Sequence, residues 1–155
     1  MAKVKKAKHR DVIGMLQEIQ NKYNYLPKKD LIRITEKLGI PLSRTYSLAT
    51  FYNAFSLKPR GKYLVSLCMG TACHVRGTER ILDEIQRTLK IKPDETSGDL
   101  QFTLKTVNCL GACALGPLMV INGEYYGKMS AKKVKTILKK YIDKEKNVKK
   151  SQESN

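Results

Sequence analysis

The chain has 155 residues, carries 30 Lys and Arg against 14 Asp and Glu, and is 41% hydrophobic. That length suits one ordinary domain or a small domain with a helical extension, and that apolar content excludes wholesale disorder. No apolar run approaches the roughly 20 residues a membrane span needs, and the basic opening MAKVKKAKHR lacks the apolar stretch of a secretory signal, so neither direct membrane insertion nor export is expected.

The net charge of +16 is uneven: residues 1–60 contribute +9, residues 61–130 contribute +1 and residues 131–155 contribute +6. A basic excess of this kind suits an acidic protein partner, a nucleic acid or an anionic surface. The last stretch, KEKNVKKSQESN from Lys144 to Asn155, holds one Val and no other apolar residue. It reads as a flexible basic tail.

In chain order, Val12, Leu16, Ile19 and Tyr23 fall on one face at helical spacing, and Asn24-Tyr25-Leu26-Pro27 stops that helix. Leu31, Ile34 and Leu38 mark a second helix closed by Gly39 and Pro41. Ser43 is the expected N-cap of a third, which carries Tyr46, Leu48, Ala49, Phe51 and Tyr52. These three helices define a helical subdomain over residues 1–58, with Lys58-Pro59-Arg60-Gly61 as the linker.

The period then changes. Lys62 to Leu67 reads as a buried strand, followed by a cysteine-bearing loop from Cys68 to Arg76. Ile81, Leu82, Ile85 and Leu89 mark an amphipathic helix that starts near Gly77-Thr78 and is ended by Lys92-Pro93; after a turn over residues 96–99, Gln101 to Val107 alternates as a strand. A second cysteine loop runs from Cys109 to Gly116. Leu118–Ile121 and Glu124–Tyr126 flank Asn122-Gly123, the strongest short hairpin signal because a type I′ turn needs two positive φ angles. Ser130 caps a last helix with Val134, Ile137, Leu138 and Tyr141 on one face. The expected fold is therefore α/β: a three-helix subdomain, then a β-α-β-β-β-α domain over residues 61–143 with a four-stranded mixed sheet. A thioredoxin-like core has this composition.

The cysteines Cys68, Cys73, Cys109 and Cys113 form C-x4-C, a gap of 35 residues, then C-x3-C. Each pair follows a predicted strand. If those strands are parallel neighbours, both loops leave the sheet at one end and the thiols converge. Structural disulfides suit a reducing compartment poorly. Buried structural cysteines and a structural zinc remain alternatives, although zinc knuckles favour C-x2-C spacing. A redox dithiol lacks its C-x-x-C. A [2Fe–2S] cluster needs four thiolates, and one pair per iron matches the pairing of the loops. The small residues of CMGTAC and CLGAC let backbone N–H groups approach sulfur, and the cluster's charge of roughly −2 to −3 suits the positive end of the following helix, with His74 and Arg76 nearby.

ATFYNAF (Ala49 to Phe55), CMGTACHVRG (Cys68 to Gly77) and CLGACALGPLMVING (Cys109 to Gly123) resemble the thioredoxin-like [2Fe–2S] ferredoxin family, that of the 24 kDa subunit of NADH:quinone oxidoreductase. Close relatives are small subunits of NAD(P)-dependent and electron-bifurcating hydrogenases and of formate dehydrogenases. The resemblance implies that Cys68, Cys73, Cys109 and Cys113 bind one [2Fe–2S] cluster that exchanges single electrons with a flavin. It implies docking, through the helical N-terminal region, on a flavoprotein subunit that holds FMN and NAD(P)H, beside further iron–sulfur subunits of the same complex. The chain is then an electron-transfer subunit of an oxidoreductase with no catalytic site of its own, expected in the cytoplasm of a prokaryote. Thioredoxin-like folds often carry a cis proline before the strand that Pro117 opens, which makes Gly116–Pro117 a candidate cis bond.

The rival class is a zinc-stabilised basic nucleic-acid-binding module, for which the charge and Tyr23, Tyr25, Tyr46 and Tyr52 would serve. Against it, the tyrosines sit at core-like helical positions and the basic residues avoid the cysteine domain. No nucleic acid is expected as a partner. No G-x-G-x-x-G follows a strand, and His9 and His74 lie in different parts of the chain.

Overall fold

The computed structural model describes the backbone of residues 7–152 and the side chains of residues 12–144. The chain divides into two compact units, Met1–Lys62 and Tyr63–Asn155.

The first unit is built from α1 (Ala7–Tyr23), α2 (Lys28–Leu38) and α3 (Leu42–Phe51). Each contributes to one apolar cluster: Val12 and Leu16 from α1, Leu31 and Ile34 from α2, and Ala49 from α3, with Leu26 and Phe55 from the flanking turns. The segment after α3 returns to the first turn. Ser56 accepts the Leu26 N–H at 2.7 Å and donates its own N–H to Gln20 Oε1 at 2.9 Å. Two expectations fail here. Pro41, not Ser43, occupies the N-cap of α3, and no side chain caps that end. Pro41 presets an extended φ there, so the helix starts two residues early and the Ser43 carbonyl accepts the Ser47 hydroxyl at 2.8 Å. The tyrosines are not core residues either. Tyr23, Tyr46 and Tyr52 are exposed, as is Phe51 at 78%, while Tyr25 is half-buried.

The second unit holds β1 (Tyr63–Cys68), α4 (Thr71–Val75), α5 (Thr78–Leu89), β2 (Phe102–Val107), β3 (Met119–Ile121), β4 (Glu124–Tyr126) and α6 (Ala131–Gln152). The sheet order is β2-β1-β3-β4, with β1 parallel to β2 and the other neighbours antiparallel. Alternation in β1 sends Tyr63, Val65 and Leu67 into a core shared with Ile81 and Ile85 of α5 and Val134 and Leu138 of α6. Burying an aliphatic side chain of this kind contributes about 1.5–3 kcal/mol, so this face holds the sheet and both helices together. Glu84 of α5, itself buried, reaches Lys135 of α6 at 3.4 Å and Arg87 at 3.7 Å and accepts the Thr88 hydroxyl at 3.3 Å. A buried carboxylate needs such partners, since an unpaired one carries a large desolvation penalty.

Asn122 and Gly123 make the β3–β4 turn with φ of 47° and 89°, as the hairpin signal requires. Ser130 Oγ accepts the Lys133 N–H at 3.4 Å at the start of α6. The helix then continues to Gln152, so Lys144 to Gln152, expected in a flexible tail, is helical. That stretch has no Gly or Pro and is rich in Lys, Glu and Gln, all good helix formers, which outweighs its lack of an apolar stripe. Residues 153–155 lie outside the described residues.

Candidate metal centre

The parallel register fixes where the cysteines emerge. Cys68 is the last residue of β1 and pairs with Val107, the last of β2, so both following loops leave the same end of the sheet. The Met69 N–H bonds Val107 O at 2.7 Å, which extends the pairing by one residue into the first loop. Gly70 then passes so close to the start of the second loop that a Cβ there would collide with the Asn108 carbonyl oxygen. Glycine is required at this position because two backbones meet without room for a side chain.

The first loop is not wholly irregular. Residues Thr71–Val75 form the short helix α4, a feature that the small-residue composition of the loop conceals. The Cys73 and His74 N–H groups both turn back on Gly70 O at 2.9 Å. The chain enters α5 from Gly77, and the Thr78 hydroxyl donates to Cys68 O at 3.0 Å. The second loop contains a single 3-10 turn, Cys113–Leu115, and ends at Gly116–Pro117, whose peptide bond is cis.

The four cysteines are free and fall into two couples of different character. Cys68 and Cys73 are buried and pack with Leu118, beside Leu110 and Ala112. Cys109 and Cys113 are exposed. Within each couple the two thiols are near enough to shift one another's protonation. Among the described residues, no group of three or more His, Cys, Asp or Glu side chains closes around a single ion.

Burial pushes the Cys68 thiol up, but hydrogen bonds from the Gly70 and Leu110 backbones and from Cys73 outweigh it, and the thiol rests below its ordinary range. Burial, then the bond to Cys68, holds the Cys73 thiol above that range, against a backbone bond from Leu118 that favours its thiolate; the Cys113 charge adds to the rise from the other loop. Cys113 is also raised, first by its hydrogen bond to Cys109 and then by the Cys109 charge; the Cys68 charge adds to it across the loops. On Cys109 the Gly111 N–H points at sulfur from 3.3 Å. Three interactions thus link the loops through sulfur: Leu110 with Cys68, Cys113 with Cys73, and Cys68 with Cys113. Backbone N–H groups from both loops and from Leu118 face the thiols. A binuclear iron–sulfur centre asks for this donor set: two thiolates on each of two irons, with N–H groups to offset their negative charge.

Arg76 and His74 flank the couples. Arg76 Nη1 donates to Cys113 O at 2.7 Å and to Gly116 O at 3.3 Å. His74 Nε2 lies 3.8 Å from Glu79 on α5. The sequence places Arg76 as a nearby positive charge, but nothing local in the chain signals a bond to a carbonyl from the other loop.

Among the described residues no helix is long and apolar enough to cross a membrane. The chain shares 33% identity over 130 residues with the HndA subunit of the NADP-reducing hydrogenase of Solidesulfovibrio fructosivorans, spanning 84% of this chain and 76% of that one. It shares 33% over 134 residues with a subunit of the NADH-quinone oxidoreductase of Aquifex aeolicus, spanning 86% and 84% respectively. Among solved structures it superposes on an NAD+-reducing [NiFe]-hydrogenase with a TM-score of 0.73 at 18% identity, over 84% of this chain and 23% of that one. That likeness is one of fold alone. Residues 1–142 match the model of one family, and the chain belongs to it: the thioredoxin-like [2Fe–2S] ferredoxins, which carry a [2Fe–2S] cluster.

Proposed function

We propose that this chain is an electron-transfer subunit whose single [2Fe–2S] cluster is held by Cys68, Cys73, Cys109 and Cys113. The observation that carries the proposal is the meeting of the two cysteine couples at one end of the parallel β1–β2 pair. Bound there, the cluster supplies a one-electron couple. Cys68 and Cys73 anchor one side in a dry, hydrogen-bonded pocket, and Cys109 and Cys113 hold the other at the surface, where a redox partner has access.

The relatives are named as subunits of an NADP-reducing hydrogenase and of NADH-quinone oxidoreductases. In our reading this chain works in a complex of that kind and exchanges electrons with the flavin of an FMN- and NAD(P)-binding flavoprotein, alongside further iron–sulfur subunits. A basic chain suits an acidic face on such a partner. Four free thiols suit the reducing cytoplasm. The chain then contributes electron transfer, while the chemistry on NAD(P) belongs to the partner.

Anaerobically purified protein is expected to be brown, to hold about two irons and two sulfides per chain, and to bleach with dithionite while giving the EPR signal of a reduced [2Fe–2S] centre. A colourless protein with a single zinc per chain would falsify the proposal and favour a zinc-stabilised module.

A further inference from the structure

Arg76 sits at the C-terminal end of α4, in the first cysteine loop, yet its hydrogen bonds go to the second. One nitrogen, Nη1, donates to the carbonyl of a cysteine, Cys113, which opens the 3-10 turn, and to the carbonyl of Gly116, which follows it. The same nitrogen lies 3.2 Å from where a Cβ on the buried Gly116 would stand, and Cys73 Sγ lies 3.1 Å from that point on the same residue. Gly116 therefore fills the gap between the guanidinium and the inner couple with no side chain of its own. Nη1 is thereby held no more than about 6.3 Å from Cys73 sulfur, near enough for its charge to act on that neighbour.

The rest of the second loop is held by its own turn and by the Lys128 N–H on Leu115 O at 2.6 Å, not by the first loop. Cys109, Gly111, Cys113, Ala114 and Leu115 are all exposed. The exposed couple is held by the Gly111 N–H on Cys109 sulfur and, at the Cys113 carbonyl, by the Gly116 N–H at 3.1 Å and the Arg76 donor at 2.7 Å; of these only Arg76 comes from the first loop. An arginine suits the task. Its guanidinium stays charged throughout the physiological range, and Nη1 carries two hydrogens at fixed angles, one for each carbonyl. Lysine would bring the charge as a point on a flexible stem.

We infer that Arg76 is a positioning residue: it straps the second cysteine couple to the first loop and keeps a fixed positive charge beside the four-thiol frame. The inference rests on the reading that this frame holds a [2Fe–2S] cluster. It adds two consequences to that reading. The strap slows loss of the cluster from its exposed side, and the charge favours its more negative, reduced form.

The test uses the full chain, purified with its cluster, as wild type, Arg76→Gln, Arg76→Lys and Arg80→Gln. Arg80 is exposed on α5 and serves as a control for simple loss of charge. Iron and sulfide content of the wild type comes first, and a wild type without them sinks the cluster reading whatever Arg76 does. With the wild type loaded, Arg76→Gln should release iron to a chelator about tenfold faster, the scale of one charge-assisted hydrogen bond. Its midpoint potential should move negative and its reduced EPR spectrum should broaden. Arg76→Lys should keep the wild-type potential but not the wild-type release rate. That split separates charge from strapping, and a merely structural role would not produce it. A folded Arg76→Gln chain that cannot load, beside an Arg76→Lys chain that can, also supports the assignment. Wild-type release rate and potential in Arg76→Gln overturn it, as does misfolding of both variants, which would make Arg76 a determinant of the fold instead.

Discussion

The two cysteine loops present the same ligand type in opposite settings. The first couple is buried under Leu118, with its backbone turned into α4 and tied to the end of β2. The second is exposed and follows a loop with one 3-10 turn, held in part from outside by Arg76. The first loop is fixed by the sheet itself and behaves as part of the core. The second is fixed by a few directed bonds and stays open to solvent. For the electron-transfer role we propose, both settings serve: one side for retention, the other for access.

The sharpest way to break this contrast is chemical rescue of missing thiols. Cys68→Gly and Cys109→Gly should both lose most of their iron and sulfide. An added small thiol should restore iron to Cys109→Gly, where solvent reaches the position, and not to Cys68→Gly, where it does not. Equal rescue at both positions would dissolve the distinction between a closed and an open side.

A smaller effect is expected from backbone substitutions. Gly70→Ala must drive a methyl group into the Asn108 carbonyl, so the ends of β1 and β2 have to part. Overpacking of this kind costs roughly 1–3 kcal/mol, read as a lower denaturation midpoint. Gly111→Ala meets nothing within 4 Å and is strained only by its φ of +80°. It should cost about 1 kcal/mol and act mainly on cluster retention. If Gly111→Ala proved the more damaging to folding, the second loop would be the more rigid of the two.

The smallest effect should come from pH, at the junction of β4 and α6. Tyr126 and Tyr141 share a hydrogen bond of 2.8 Å, and the Tyr141 hydroxyl donates to Glu124 Oε2 at 3.0 Å, joining β4 to α6. The neighbouring hydroxyls of Tyr126 and Tyr141, as donors, hold the Glu124 carboxyl below its usual range. Burial, chiefly, holds both phenols above theirs. The carboxylate therefore contributes stability above its unfolded pKa and loses that contribution as pH falls through the lowered folded one. The phenols contribute below their unfolded value of about 10, and lose that contribution as pH rises through the raised folded one. Tyr141→Phe should flatten both flanks of the stability profile, measured by thermal melting, while the release rate of iron stays at the wild-type value.

Much of the second unit is legible in the chain because its signals are local. A β-rich apolar run marks β1 and period-two alternation marks β2, Asn122-Gly123 can hardly be anything but a tight hairpin, and cysteines placed directly after two strands inherit their positions from the pairing. Other features escape for physical reasons. Tyr46, Leu48, Ala49, Phe51 and Tyr52 circle most of a helix at 3.6 residues per turn, so they define no single buried face, and Phe51 ends at 78% exposure. The five residues of α4 are too few to show a period. The bond from Arg76 to Cys113 joins residues that only the folded sheet brings together.

The register between β1 and β2 has a consequence for how the protein is made. The first couple leaves the ribosome with its strand, but the second follows only after a whole crossover helix and another strand have been synthesised. A slip of one residue in that parallel pairing would turn the faces of β2 over, and a slip of two would carry Cys109 roughly 7 Å along the sheet. If the four cysteines hold the cluster as proposed, its insertion waits for correct strand assembly, and a loaded centre in turn reports that the sheet has closed in its proper alignment.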